Sequence, residues 1–299
     1  MFKKFTGVLA VSLTISSILG SGVAFAQSDE ALDAARRLNI AGRQRMLSQR
    51  ISRFACYIYR GIDVEEHMGI LHGLKDLYET SQLALRHGSK ELMLAPEGNF
   101  LVREDLNTVN EHYQRFAVHL NESFAMNTVD EENVYHIDRD GLLLLESGDK
   151  LVRRISQVYG ELLPDISIIM GVTIDVAGRQ RMLTQKAAKE GCLIEAGINV
   201  EENRKKLAET IRVFTATLDA LINGFPGMVL PAPSPEIADG LVAVKSLWVP
   251  ANEVFTLLAD GQTITDEQRF LIDHGMEQTL DEMQHVVDLY EQALGTAVH

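Results

Sequence analysis

The sequence predicts an all-α protein built as two tandem up-and-down four-helix bundles from an internal duplication. Three observations predict it. Residues 41–49 read AGRQRMLSQ and residues 177–185 read AGRQRMLTQ, differing only where Ser48 becomes Thr184. The offset of 136 is half the length left once a 26-residue export segment is set aside. Apolar residues recur at helical spacing, while Val, Ile and aromatic runs of period two are not evident.

The same offset carries Cys56 onto Cys192, Gly61 onto Gly197, Val64-Glu65-Glu66 onto Val200-Glu201-Glu202, and Ala84-Leu85 with Gly88 onto Ala220-Leu221 with Gly224. Farther on, an offset of 135 places Leu106 and Tyr113 on Leu241 and Trp248, and one of 131 places Tyr159 on Tyr290.

Residues 1–26 read as a signal peptide, with basic Lys3 and Lys4, an apolar stretch from Val8 to Leu19 and a small-x-small ending at Ala24-Phe25-Ala26. An uncleaved anchor formed by residues 5–26 is the alternative. The expected location is periplasmic or secreted, or membrane-anchored if the segment stays. The first bundle is expected over 27–164 and the second over 165–299.

Within the first bundle the helices are expected at 29–59, 64–87, 104–120 and 131–163. Within the second they are expected at 165–196, 200–223, 237–259 and 265–294, with Thr265-Asp266-Glu267 as a start signal and the Pro-rich stretch 226–235 as a loop. Short connections make successive helices antiparallel neighbours around one core. Pro164 lies between the bundles. If the chain reverses there, the first helices of the repeats run parallel and the two motifs share one height. If a kinked helix continues through it, the motifs stand roughly 40 Å apart at 1.5 Å per residue. Pro disfavours helix at Leu163 and Asp165 is a reasonable start residue, which favours reversal.

Composition excludes several function classes. Hydrophobic residues make up 46% and charged residues 23%, so a packed core is expected and disorder is not. The formal net charge of −14, which becomes −16 without Lys3 and Lys4, repels phosphate backbones and argues against nucleic acid. No CxxC, CxxCH, HExxH, Walker loop or GxSxG occurs, so the common metal, haem, nucleotide and serine-hydrolase signatures are absent. No enzyme and no cofactor are expected. His67 and His72 beside Glu65 and Glu66 read as helix-face residues rather than metal ligands, because only the glutamates recur. Cys56 and Cys192 read as small core residues, with an inter-repeat disulfide as the alternative. Tyr113 and Trp248 are expected to anchor the third helix of each bundle to its core.

The repeated motif carries the chemistry. On a helix, Ile40, Leu47, Ile51, Phe54 and Ile58 form the core stripe, and Leu38, Gly42, Arg45, Gln49 and Ser52 the opposite face. Its counterpart is Ile174, Gly178, Arg181, Gln185 and Ala188. A mid-helix Gly costs about 1 kcal/mol relative to Ala, so Gly42 and Gly178 point to close approach by a helix or a ligand. Arg45 and Arg181 stay charged and offer planar paired donors that suit an oxyanion. Arg43 and Arg179 lie farther round the helix, as flank donors. An inter-bundle salt bridge is the competing use of the two arginines.

The run from Asn39 through Ala41-Gly42-Arg43-Gln44-Arg45-Met46-Leu47-Ser48-Gln49-Arg50 resembles the signature of the N-terminal sensor domain of type IV pilus methyl-accepting chemotaxis transducers, the PilJ domain, which is related to the nitrate/nitrite sensor domain of NarX-type kinases. The resemblance covers both halves. It implies tandem four-helix bundles and an anion held between them by Arg45 and Arg181, with Gly42 and Gly178 lining the close approach. The second copy departs in having Asp175 for Asn39 and Lys186 for Arg50, so equal affinity in the two halves is not expected. The resemblance also implies an output module, and with none in this sequence a separate membrane signalling or chemotaxis protein is the expected partner. The reading is therefore a non-catalytic sensor or binding protein for a small oxyanion, nitrate or nitrite. The alternative is an envelope interaction module with no small ligand.

Overall fold

The computed structural model describes residues 19–160 and 168–297. Among them are eight helices and no strand: α1 (Leu19–Tyr59), α2 (Val64–His87), α3 (Phe100–Met126), α4 (Glu131–Tyr159), α5 (Ile168–Glu195), α6 (Val200–Asn223), α7 (Pro235–Ala259) and α8 (Asp266–Ala297). The first four form one bundle and the last four the other. The basic start and most of the apolar stretch of the expected export segment lie outside the described residues, as does Pro164.

The duplication is visible in the turns. α1 and α5 close on equivalent glycines, and α2 and α6 are entered from Asp63 and Asn199, both in the left-handed region. Gly88 and Gly224 end α2 and α6 with φ of 79° and 78°, where a side chain would be strained. α3 is longer than expected at both ends. The Asn99 side chain accepts from Leu101 N and Val102 N, which starts the helix at Phe100, and left-handed Asn127 ends it. α8 begins as expected. Thr265 Oγ1 accepts from Gln268 N while Gln268 Oε1 accepts from Thr265 N, a reciprocal cap.

The buried hydrophobic residues form one continuous cluster through both bundles, and equivalent rings recur in each. Tyr78 stacks on Tyr113 at 4.6 Å in the first, and their counterparts Phe214 and Trp248 lie 3.9 Å apart in the second, so both third helices are anchored as expected. α7 is long and apolar enough to cross a membrane by length and composition, but Leu241, Val244, Trp248, Ala251 and Phe255 are buried in the bundle. His67 packs against Phe54 and Tyr57, and His72 stacks on Phe124.

α1 and α5 are buried on nearly every side, because each serves its own bundle and the other one. Residues 44–49 are all buried, including Gln44, Arg45, Ser48 and Gln49. The face opposite the apolar stripe is not a solvated one. Gln49 and Ser52 donate to the carbonyls of Gly141 and Ile137 on α4. α1 and α5 run parallel, since contacts pair residues of rising number on both: Arg45 with Asp175, Arg53 with Gln185, and Cys56 with Cys192. This is the arrangement with both motifs at one height. The cysteines are buried and joined in a disulfide with Cα atoms 6.3 Å apart, so of the two readings the inter-repeat disulfide is the one present. The parallel pairing of α1 with α5 places the two equivalent residues side by side, a juxtaposition no spacing within one repeat reveals.

Candidate functional site

The two motifs meet between the bundles. Arg45 Nη1 donates to Asp149 Oδ1 of α4 at 2.8 Å, and Nη2 donates to Asp175 Oδ1 of α5 at 2.8 Å. Arg181 Nη1 donates to Gln284 Oε1 of α8 at 2.5 Å, and Nη2 donates to Asn39 Oδ1 of α1 at 3.0 Å. Each arginine thus holds the last helix of its own bundle and the first helix of the other. A Cβ on Gly42 would stand 3.4 Å from Arg45 Nη2 and 4.0 Å from Arg181 Nη2, and one on Gly178 would stand 3.6 Å from Arg181 Nη2. Both guanidinium groups therefore end against the space that Gly42 leaves.

The site is two-fold in geometry and not in charge. Asp175 is the counterpart of Asn39. The buried series 137, 141, 144, 145, 148, 152 and 155 of α4 falls on 272, 276, 279, 280, 283, 287 and 290 of α8, an offset of 135 throughout. That register makes Gln284 the counterpart of Asp149. It also pairs Tyr290 with Ile155, which corrects the match of Tyr159 with Tyr290 at 131. Arg45 consequently meets two carboxylates, and Arg181, in the same geometry, meets two neutral amides. Asp175, six residues before Arg181 in sequence, is bonded by Arg45 of the other repeat instead.

The flank donors divide in the same way. Arg179 Nη2 donates to Asp149 Oδ1 at 3.1 Å, and its Nε lies 3.2 Å from Asp175 Oδ2, so Arg45, Arg179, Asp149 and Asp175 make a closed set of two positive and two negative charges. Arg43 Nη2 donates to Ser81 Oγ at 3.1 Å and leaves its Nε buried without a partner.

Proton affinities follow the partners. Both Arg45 and Arg181 are 2% exposed. Burial works against the charge of Arg45, but Asp175 and Asp149 outweigh it and hold its pKa above the ordinary value. For Arg181 burial wins, helped by Arg45 and Arg43 and opposed by Glu291 and Asp288, and its pKa falls to about 10. It remains a cation at neutral pH, and its Nε has no partner.

A second tier clamps the bundles two turns along. Arg53 donates to Gln185 Oε1, Glu277 Oε1, the Asp273 carbonyl and Tyr57 Oη. Its counterpart Lys189 is fully buried against Asp138, 2.6 Å away, and Asp138 is the counterpart of Asp273 at the 135 offset. Arg60 and Arg269 then share Glu195. Asp149, Gln284 and this tier escaped the sequence reading because α4 and α8 share no motif; the 135 offset, extended beyond Trp248, is the signal that finds them.

Comparison with known families matches residues 26–134 and 170–270 to the N-terminal domain of type IV pilus methyl-accepting chemotaxis transducers, PilJ. The chain belongs to the PilJ family. Both matched segments contain a motif, so the two copies of the PilJ domain carry one arginine each to a common interface. No match is found among curated proteins.

Proposed function

We propose that this tandem PilJ protein binds a small oxyanion, of the nitrate or nitrite class, between its bundles and reports it to a separate signalling protein. The observation that carries this is Arg181, a buried guanidinium whose hydrogen-bonding partners are uncharged. An unpaired buried charge is costly, and an anion beside Arg181 offsets that cost. Charge-assisted hydrogen bonds contribute about 1.5–3 kcal/mol each, so two or three support micromolar binding. The amides of Asn39 and Gln284 keep Arg181 extended, and Gly42 and Gly178 leave room at its tip. Arg45 borders the same space and strengthens the field there, while its Nη1 and Nη2 are taken by carboxylates. A disulfide suits the oxidising setting outside the cytoplasm, which supports the exported location.

The test is the thermal midpoint of the purified protein against nitrate, nitrite, sulfate and phosphate at constant ionic strength, since a ligand of the folded state raises it with concentration. A selective rise that Arg181→Ala abolishes is expected. Asp149→Gln with Asp175→Asn, which gives Arg45 the neutral partners of Arg181, should enlarge the rise.

One observation favours a second reading, an interaction module without a small ligand. The closed set of Arg45, Arg179, Asp149 and Asp175 is a bundle-docking contact needing no ligand. If no anion moves the midpoint of the wild type or of the Asp149→Gln, Asp175→Asn variant, that reading replaces the first.

A further inference from the structure

Gln284, Asp288 and Glu291 stand at i, i+4 and i+7 on α8 and form one stripe. Arg181 bonds the first, and Gln284 Nε2 donates to Asp288 Oδ1 at 2.7 Å. Glu291 lies on the same stripe, a turn beyond, and its Oε1 is buried without a hydrogen bond. The charges acting on it are Arg181 from α5, Arg43 from α1 and Asp288 from its own helix; among the described residues none comes from α7, the other helix packed on α8. At the 135 offset the first repeat has Ser156 in place of Glu291 and Arg153 in place of Asp288. The carboxylate is thus a feature of the Arg181 half alone. The Nε atoms of Arg43 and Arg181 are likewise buried and without a hydrogen bond.

We infer that Glu291 is the built-in counter-anion of the Arg181 site, and that an oxyanion replaces it there by leaving it protonated, so that ligand binding takes up a proton. This rests on Arg181 being the receiving residue. The step is balanced simply: a solvent proton adds to the Glu291 carboxylate, the anion brings one negative charge, and no covalent bond of the ligand changes. With Asp288 and Glu291 already set against Arg43 and Arg181, a further anion leaves one negative charge uncompensated, and the buried carboxyl sheds its own. Burial already pushes the Glu291 carboxyl up to about 7, against the pull of Arg181 and Arg43. A carboxyl raised that far takes up a proton near neutral pH, where an ordinary glutamate stays ionised.

Calorimetric titration of the purified full chain with sodium nitrate and with sodium sulfate, neither of which titrates in the range, at pH 6 and pH 8 and fixed ionic strength, tests the coupling. If only the protonated form accepts the anion, Kd rises about tenfold from pH 6 to pH 8, and at pH 7 the observed heat varies with the ionisation heat of the buffer. Glu291→Gln, checked for native helicity by circular dichroism, should bind with one affinity at both pH values, matching the wild type at pH 6. Equal wild-type affinity at pH 6 and pH 8, or a slope that survives in Glu291→Gln, overturns the coupling and leaves the Arg181 site standing. Absence of binding by wild type and Glu291→Gln at pH 6 removes the Arg181 reading and the coupling together.

Discussion

Gly42 and Gly141 answer to different demands. A Cβ on Gly141 would lie 2.6 Å from Ser52 Oγ, 3.4 Å from Phe116 Cε2 and 3.5 Å from the Ser48 carbonyl, where α1 and α3 pack against α4. Gly141→Ala should therefore destabilise by about 1–3 kcal/mol through overpacking, read as a lower denaturation midpoint in urea, and Ser52→Ala in the same chain should restore part of it. At Gly42 the nearest atoms are the ends of two long side chains, so Gly42→Ala should cost under about 1 kcal/mol, with helix propensity in its favour, yet blunt the anion-induced rise in midpoint. Glu291 gives a third test at this scale. Its folded pKa of about 7 lies above the ordinary 4.5, so the folded protein binds the extra proton between those values. Its contribution to stability is present at low pH and lost as pH rises toward and through 7. Without ligand, the midpoint of Glu291→Gln should fall less than that of the wild type from pH 5 to pH 8.

Among the elements, α5 carries the most exacting burial. Lys189 is fully buried, and Asp138 of α4 in the other bundle is its ion-pair partner. Removing that partner strands the charge, so Asp138→Ala should cost about 3–5 kcal/mol by chemical denaturation, and Lys189→Met with Asp138→Leu should recover most of it. α1 and α5 were the legible elements, because AGRQRML is repeated unchanged and its Gly-Arg face contradicts a solvated helix. α4 and α8 were legible as helices and not in register. The match of Tyr159 with Tyr290 set them four residues out, since one shared aromatic is weaker information than the series of buried positions that pairs Ile155 with Tyr290. That slip hid the equivalence of Asp149 with Gln284, and with it the charge asymmetry of the site. Helix ends were hidden for a local reason: the Asn99 cap lies five residues before the expected start of α3.

At the scale of the whole molecule, parallel packing of α1 and α5 makes one body of two homologous bundles. The arginine pair, the Arg53 and Lys189 tier and the Cys56–Cys192 bond succeed one another along the seam between those helices. The disulfide closes a span of 136 residues in sequence, for which the chain-entropy argument allows up to about 5 kcal/mol of stabilisation through the unfolded state. The gain should be smaller, because denatured chains retain structure. Cys56→Ala with Cys192→Ala should lower the thermal midpoint without separating the bundles, leaving a single transition in calorimetry. The seam contacts predict that outcome, since each bundle donates its last helix to the other's arginine, lysine or tyrosine. Two resolved transitions in the variant would mean that the covalent bond, and not the polar seam, joins the bundles. An anion seated between Arg45 and Arg181 should then raise only the transition in which the bundles part, which locates the ligand at the seam by calorimetry alone.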